Sequence, residues 1–294
     1  MSCPICHSPR TSLRFNGFTN RDPGDPKIWP VKECLACSHG WIDPQPTREE
    51  LSHYYSATYE AYDEMHGAEA DDPSVIAKAK VTGEFRHIAI PTGKRVLDFG
   101  CGGGYFLHIC QELGAEVQGI EPSPHGAKLT RERGIPVFEG TLEDYLVTYS
   151  GERFDVITSN HVIEHVPDPV ATLSGLRQLL APGGAITIAV PNAYSTFARQ
   201  LGTEWHSIDL PFHVHQFSAE SLSTAAKKAG LVVKDLGTTS LPAATAHSIQ
   251  LLLRRRFFVP QRLSQRLPLH FVSKRVARRH DAEKRGEALL AQFA

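Results

Sequence analysis

The chain of 294 residues is 41% hydrophobic and 21% charged, ordinary globular composition with room for one large domain beside a small one. No stretch approaches the roughly 18 consecutive apolar residues of a membrane-spanning helix, and the opening MSCPICHSPR has cysteines and prolines where a signal peptide has its apolar core, so the expected location is cytoplasmic. Net charge is −1, yet eleven Lys or Arg and only two acids fall between Leu251 and Gly286, leaving −10 on the rest; the basic segment speaks of a local partner, and the whole argues against a large phosphate footprint.

Two C-x-x-C pairs open the chain, Cys3-Pro4-Ile5-Cys6 and Cys34-Leu35-Ala36-Cys37, separated by 27 residues. Two residues between cysteines let both thiolates of a tight turn face one ion, and two such knuckles complete a tetrahedral sulfur shell. Residues 1–45 therefore read as a zinc ribbon with Cys3, Cys6, Cys34 and Cys37 as ligands. About 40 residues bury little core, so the zinc is expected to be structural. Cys101 and Cys110 lie elsewhere and read as small apolar residues. Residues 46–93 read as linking helices.

From Lys94 strand-like and helix-like segments alternate, the pattern of a parallel sheet with helices on both faces. KRVLDFG (94–100) reads as a buried first strand, 104–114 as a helix, EVQGIEP (116–122) as the second strand and 123–133 as a second helix. FDVITSN (154–160) and AITIAVPN (185–192) read as later strands, with a helix over 168–180 between them that Pro-Gly-Gly ends. Ser218 caps a helix to Lys228 that Gly230 stops, and LVVKDLG (231–237) is one more strand. Residues 286–293 read as a final strand, although their composition also suits a helix. After the first strand, Asp98-Phe99-Gly100-Cys101-Gly102-Gly103-Gly104 sets glycines at alternate positions, so the backbone turns sharply and a ligand lies against bare main chain. Tyr105 stands where a dinucleotide fingerprint needs glycine, and Asp98 suits a cationic amino acid better than a pyrophosphate.

VLDFGCGGGYF (96–106) resembles the first motif of class I S-adenosylmethionine-dependent methyltransferases. Further landmarks follow in order: Glu121 ending the second strand, EGTLEDY (139–145), SNHVIEHVPDP (159–169) and LLAPGGAITIAVPN (179–192). The resemblance runs from about Lys94 to Gly237. It implies a doubly wound α/β fold, a seven-stranded class I methyltransferase (Rossmann-like) sheet over 94–294 behind the small N-terminal zinc ribbon. It also implies S-adenosylmethionine as cofactor, cradled by Asp98, Gly100, Cys101, Gly102, Gly104 and Phe106. Glu121 and Pro122 would then meet the ribose, Thr141 and Leu142 the adenine, with Asn160 at the end of the fourth strand. PQPTREELSHYYSATYEAY (44–62) resembles a tyrosine-rich helix that folds over the cofactor in zinc-ribbon-bearing bacterial methyltransferases. Tyr54, Tyr55 and Tyr59 are thus lid candidates, and packing of a linking helix is the other reading.

The cofactor's sulfonium already activates its methyl group, so the protein has to align a nucleophile and take up its proton. His161, Glu164 and His165 follow the fourth strand, and LPFHVHQF (210–217) offers His213 and His215. His161 is the expected base, with His213 or His215 second. Similar E-x-x-E-H sets with a distant histidine hold a divalent ion in quinone-type O-methyltransferases and small-RNA 2′-O-methyltransferases. Here His161 replaces the first Glu, and the expected site is metal-free. The expected acceptor is a small molecule, a sugar, quinone-like or lipid-linked intermediate methylated on oxygen. A nucleic-acid methyltransferase and a catalytically silent zinc-ribbon interaction protein are the alternatives. Residues 238–285 form a basic amphipathic insertion, read as a cap over the acceptor pocket or as a membrane-surface contact through 245–280, which would put the protein peripherally at the inner membrane surface.

Overall fold

The computed structural model describes residues 2–19, 25–47, 49–51, 72–85, 88–90 and 92–294. Near the N-terminus β1 (Thr11–Phe18) pairs antiparallel with β2 (Ile28–Cys34), which pairs with β3 (Gly40–Ile42). The first cysteine knuckle precedes β1 and the second makes the turn between β2 and β3. α1 (Pro73–Thr82) starts at Asp72, whose carboxylate accepts from Ser74 N–H, and the short hairpin β4 (Glu84–Phe85) and β5 (Ile88–Ala89) follows it.

The larger sheet is built from β6 (Arg95–Phe99), β7 (Glu116–Glu121), β8 (Val137–Glu139), β9 (Phe154–Asn160), β10 (Leu180–Pro191), β12 (Val233–Thr239) and β13 (Ala288–Phe293), in the order β12-β13-β10-β9-β6-β7-β8. β13 alone runs against its neighbours. Strands covered on both faces read as unbroken apolar runs, and Val96, Leu97, Ile186, Ile188 and Val190 are fully buried. Between strands lie α2 (Tyr105–Glu112), α3 (Pro124–Glu132), α4 (Leu142–Thr148) and α5 (Pro169–Gln178); α6 (Thr196–Leu201) and α7 (Ala219–Lys228) follow β10. Their starts are local chemistry: Ser123 accepts from Gly126 N–H, Asp168 from Val170 and Ala171 N–H, and Ser218 forms a reciprocal cap with Ser221. The strand order reverses between β6 and β9, the place where open α/β sheets bind ligands at their carboxyl edge.

One segment departs from the sequence reading. β10 starts at Leu180 and absorbs Pro-Gly-Gly in a register shift before Ala185, so the turn is a bulge within the strand. Residues 288–293 are the expected final strand: β10 and β12 pair with them from both sides, and tertiary pairing overrides the helical leaning of their composition. The insertion is helical: α8 (Pro242–Phe257), α9 (Gln261–Gln265) and α10 (His270–Ala282). Its base is tied at Asp281, which accepts from Ser240 N–H and Oγ–H, and at buried Glu287. Glu287 accepts from Thr245 Oγ1 and Ser248 Oγ on α8 and from Trp205 Nε1, and meets His206 Nε2 at 3.2 Å. Among the described residues, no helix is long and apolar enough to cross a membrane.

The ribbon is stitched into the larger domain. β11 (His215–Gln216), far along the chain, pairs antiparallel with β3 and completes a four-stranded sheet β1-β2-β3-β11. Ile42 N–H donates to Val214 C=O, and Ser218 Oγ donates to Cys37 C=O. Cys3, Cys34, Cys37 and Trp41 belong to the same apolar cluster as Phe217 and the sheet, while Trp29, Val31 and Ile42 pack with Phe197, Trp205 and Phe212.

Candidate active site and metal centre

The glycine turn after β6 is held in the left-handed region, with φ of 74° at Gly100, 54° at Gly102 and 76° at Gly104. At Gly100 a Cβ would fall 2.4 Å from a methyl of Val162, whereas at Gly102 it would meet nothing within 4 Å. Gly102 thus borders open space at the carboxyl edge. Two buried carboxylates border the same turn. Asp98 accepts from Thr158 Oγ1–H at 2.6 Å. Glu121 accepts from Gly102 N–H and Ser123 N–H, each at 2.8 Å, one on each oxygen. Burial raises the Glu121 carboxyl above its ordinary range while those two N–H groups pull it back. Each oxygen keeps a further lone pair for a hydroxyl.

The other residues expected at this cleft are placed differently. Cys101 is buried with its Sγ 3.8 Å from Thr130 Oγ1, and burial pushes its thiol up, so only its backbone belongs to the turn. Phe106 packs against Phe85 in the core beneath α2. Leu142 is buried against Gly175 of α5 and offers no free apolar face. Thr141 caps α4, its hydroxyl donating to the Asp144 carboxylate and accepting from Asp144 N–H. Pro122 is exposed just past Glu121, and Asn160 is half-buried at the end of β9. Tyr54, Tyr55 and Tyr59 lie outside the described residues.

Beyond β9 the chain turns through His161 at φ 56°. His161 Nδ1 lies 3.3 Å from Oε1 of Glu164, which is fully buried. Burial works against the Glu164 charge, but His161, His165 and His213 outweigh it and hold its carboxyl down at about 2. In the neutral form of the His161 ring, an ionised Glu164 places the proton on Nδ1. Nε2 of this ring, whose side chain is 42% exposed, then carries a free lone pair. His165 and His213 are likewise fixed: Nδ1–H of His165 donates to Phe212 C=O at 3.0 Å and Nδ1–H of His213 to Ser207 C=O at 2.8 Å. Burial presses His165 down to about 4. One oxygen of Glu164 and a ring nitrogen of each of these two histidines lie within 4.8 Å of one another. Oε2 of Glu164 has no hydrogen-bond partner among the described residues.

His215 lies against the ribbon. Its ring is buried and its Nδ1 lies 3.0 Å from Nε2 of His39 on the ribbon, while its N–H donates to Glu164 C=O. It is a joint between ribbon and domain. Two supporting residues were missed by sequence reasoning: Thr158, which the parallel register sets beside Asp98, and Thr130, which donates to Gly102 C=O at 2.7 Å.

Cys3 Sγ lies 3.7 Å from Cys37 Sγ and Cys6 Sγ 3.4 Å from Cys34 Sγ, and all four sulfurs fall within 4.8 Å of one another. A zinc tetrahedron with bonds of about 2.3 Å has sulfur–sulfur edges of about 3.8 Å, so the cluster fits the ion. Cys6 N–H points at Cys3 Sγ and Ala36 N–H at Cys34 Sγ, the contacts that stabilise thiolates. Burial raises Cys3 to about 11, a cost that a bound cation would offset.

Known proteins resemble this chain in sequence and in fold. The ubiquinone biosynthesis O-methyltransferase of Cereibacter sphaeroides is 39% identical over 150 residues, 47% of this chain and 60% of that protein. Its counterpart in Thiobacillus denitrificans is 34% identical over 171 residues, 54% of this chain and 73% of that protein. A solved S-adenosylmethionine-dependent methyltransferase from Archaeoglobus fulgidus has a TM-score of 0.52 at 18% identity, covering 80% of this chain and 99% of that one. The [4+2]-cyclase SpnF has a TM-score of 0.53 at 15% identity, covering 85% of this chain and 96% of that one. These structural likenesses show the fold alone. The model of the family described as methyltransferase domain matches residues 77–236, more than half of the chain, and the protein therefore belongs to that family.

Proposed function

We propose that the protein transfers the methyl group of S-adenosylmethionine to an oxygen of a small-molecule acceptor of quinone-like, sugar or lipid-linked type. The observation that carries this reading is the pairing of an open glycine turn with two buried carboxylates and a solvent-facing imidazole at one sheet edge. The donor set fits the cofactor: Glu121 retains lone pairs for the ribose hydroxyls, and Asp98 supplies the charge for the amino-acid end. When bound, the cofactor supplies a sulfonium-activated methyl group. His161 Nε2 takes the acceptor's proton, and Glu164 steadies the imidazolium that results. The curated relatives support an oxygen-directed reaction on a quinone-like acceptor, although the chain spans only 60% of the length of the first of them.

A second reading concerns the same site. The nitrogens that His165 and His213 leave free, and the Glu164 carboxylate, are all acceptors, a set that asks for a cation. These three residues would hold a divalent ion, which would then polarise the acceptor oxygen. Metal analysis before and after chelation, with turnover measured on each sample, separates the two. The membrane-surface contact through 245–280 belongs to the proposal as well. Calorimetry with S-adenosylhomocysteine tests its centre: no heat with wild type, or an unchanged Kd for Asp98→Ala, would overturn it.

A further inference from the structure

We propose that the tip of the helical insertion, residues 257–272, is a docking surface for anionic lipid. This deepens the membrane-surface part of the reading above and stands apart from its methyl-transfer part. Asp281, just before the end of α10, binds Ser240, just before the start of α8, and the two helices pack along each other. The insertion is therefore an antiparallel hairpin whose base is the sheet's carboxyl edge. α8 has 16 residues, so its far end stands about 24 Å from that base.

The far end is where apolar side chains are left in water. Phe258 is 87% exposed and Phe271 83%, with Phe257 and Leu263 more than half exposed. Phe258 closes α8 in the left-handed conformation, and Phe271 lies in the first turn of α10, so the antiparallel packing sets both at the same end. A collar of cations surrounds them. Nine Lys or Arg and no acid lie between Ser240 and His280. Arg255 is anchored to Gln200 and Leu201 C=O, but Arg254, Arg256, Arg262, Arg266, Lys274 and Arg275 are exposed and form no ion pair among the described residues. Apolar side chains ringed by unpaired cations match the headgroup boundary of an anionic bilayer, where the rings enter the acyl region and the cations meet lipid phosphate. Leu263 and Val272 favour lipid over bases, since aliphatic groups give no ring for stacking.

The test is flotation of the full-length, zinc-loaded protein with phosphatidylcholine vesicles and with phosphatidylglycerol-rich vesicles at low salt. Wild type should float with the anionic vesicles only, and more weakly as salt rises. Phe258→Glu with Phe271→Glu should lower the bound fraction about tenfold or more, and Arg254→Gln with Arg256→Gln and Arg262→Gln should flatten the salt dependence. Calorimetry with S-adenosylhomocysteine on the same samples should show unchanged heat in every variant, which verifies folding. Wild type that stays at the bottom, or a double glutamate variant that floats like wild type, overturns the proposal. Displacement from vesicles by a single-stranded oligonucleotide that competes through the same arginines also overturns it, in favour of nucleic acid. Absent S-adenosylhomocysteine heat with intact flotation would sink the methyl-transfer reading alone.

Discussion

Glu121→Gln isolates what the proposed cofactor cradle requires of one side chain. Both carboxylate oxygens accept a backbone N–H at 2.8 Å, from Gly102 and Ser123. Glutamine has the same shape but one oxygen, so whichever way its amide turns, an NH₂ faces one of those donors. The loss of one charge-assisted bond and the orphaned N–H together cost about 3 kcal/mol. Relief of the buried charge offsets part of this in the free protein, because burial raises the Glu121 carboxyl to begin with. No such relief applies to the ribose, which loses an acceptor for one hydroxyl. S-adenosylhomocysteine affinity should therefore fall about 100-fold while stability falls by only about 1–2 kcal/mol. The pH dependence separates this account from simple loop damage. Burial raises the Glu121 carboxyl, so wild-type affinity should weaken on acidification as that carboxyl takes up its proton, whereas the glutamine variant should lack this titration. Titration calorimetry across a series of pH values is the assay. A variant Kd within threefold of wild type, or one that tracks wild type with pH, would refute the argument.

Other outcomes follow from the same geometry. His161→Ala should lower turnover by roughly 10²–10⁴ with S-adenosylhomocysteine affinity nearly unchanged; equal turnover would remove His161 from the chemistry. Cys34→Ser should abolish bound zinc in elemental analysis and loosen β3 from β11, so methyl transfer should fail while S-adenosylhomocysteine still binds. Full turnover in the metal-free variant would contradict that coupling. Burial holds His165 and His215 at about 4 in the folded chain, against 6.5 for a free ring. Both folded values are depressed, so this stability is whole above about pH 6.5 and is lost as pH falls toward 4, by roughly 3 kcal/mol per ring. Urea midpoints measured on either side of that window should show the drop, and flat midpoints would mean the rings are not buried as neutral groups.

Much of the sheet was readable because its central strands carry buried apolar runs and its helices begin at Ser123, Asp168 and Ser218, residues whose side chains cap locally. The glycine turn and its two carboxylates were readable for a similar reason: positive φ at Gly102 and buried charge at Asp98 and Glu121 leave few alternatives. What could not be read depends on contacts distant in sequence. Nothing in LPFHVHQF says that His213 turns toward Glu164 while His215, two residues on, turns to a ribbon 176 residues away. His215 lies in β11 whereas His213 lies in the turn before it, and that strand exists only because β3 is there to pair with it. The contact between Phe106 and Phe85 and the saturation of Glu287 by four partners are hidden for the same reason.

The shared edge between β3 and β11 means that zinc supply governs more than the first forty residues. A copy made without the ion would keep its glycine turn and still charge itself with nucleoside, yet the segment carrying His213 would lose the neighbour that sets its course. Scarcity of the metal would then yield a population that is loaded but idle, and restoring zinc would revive it without new synthesis.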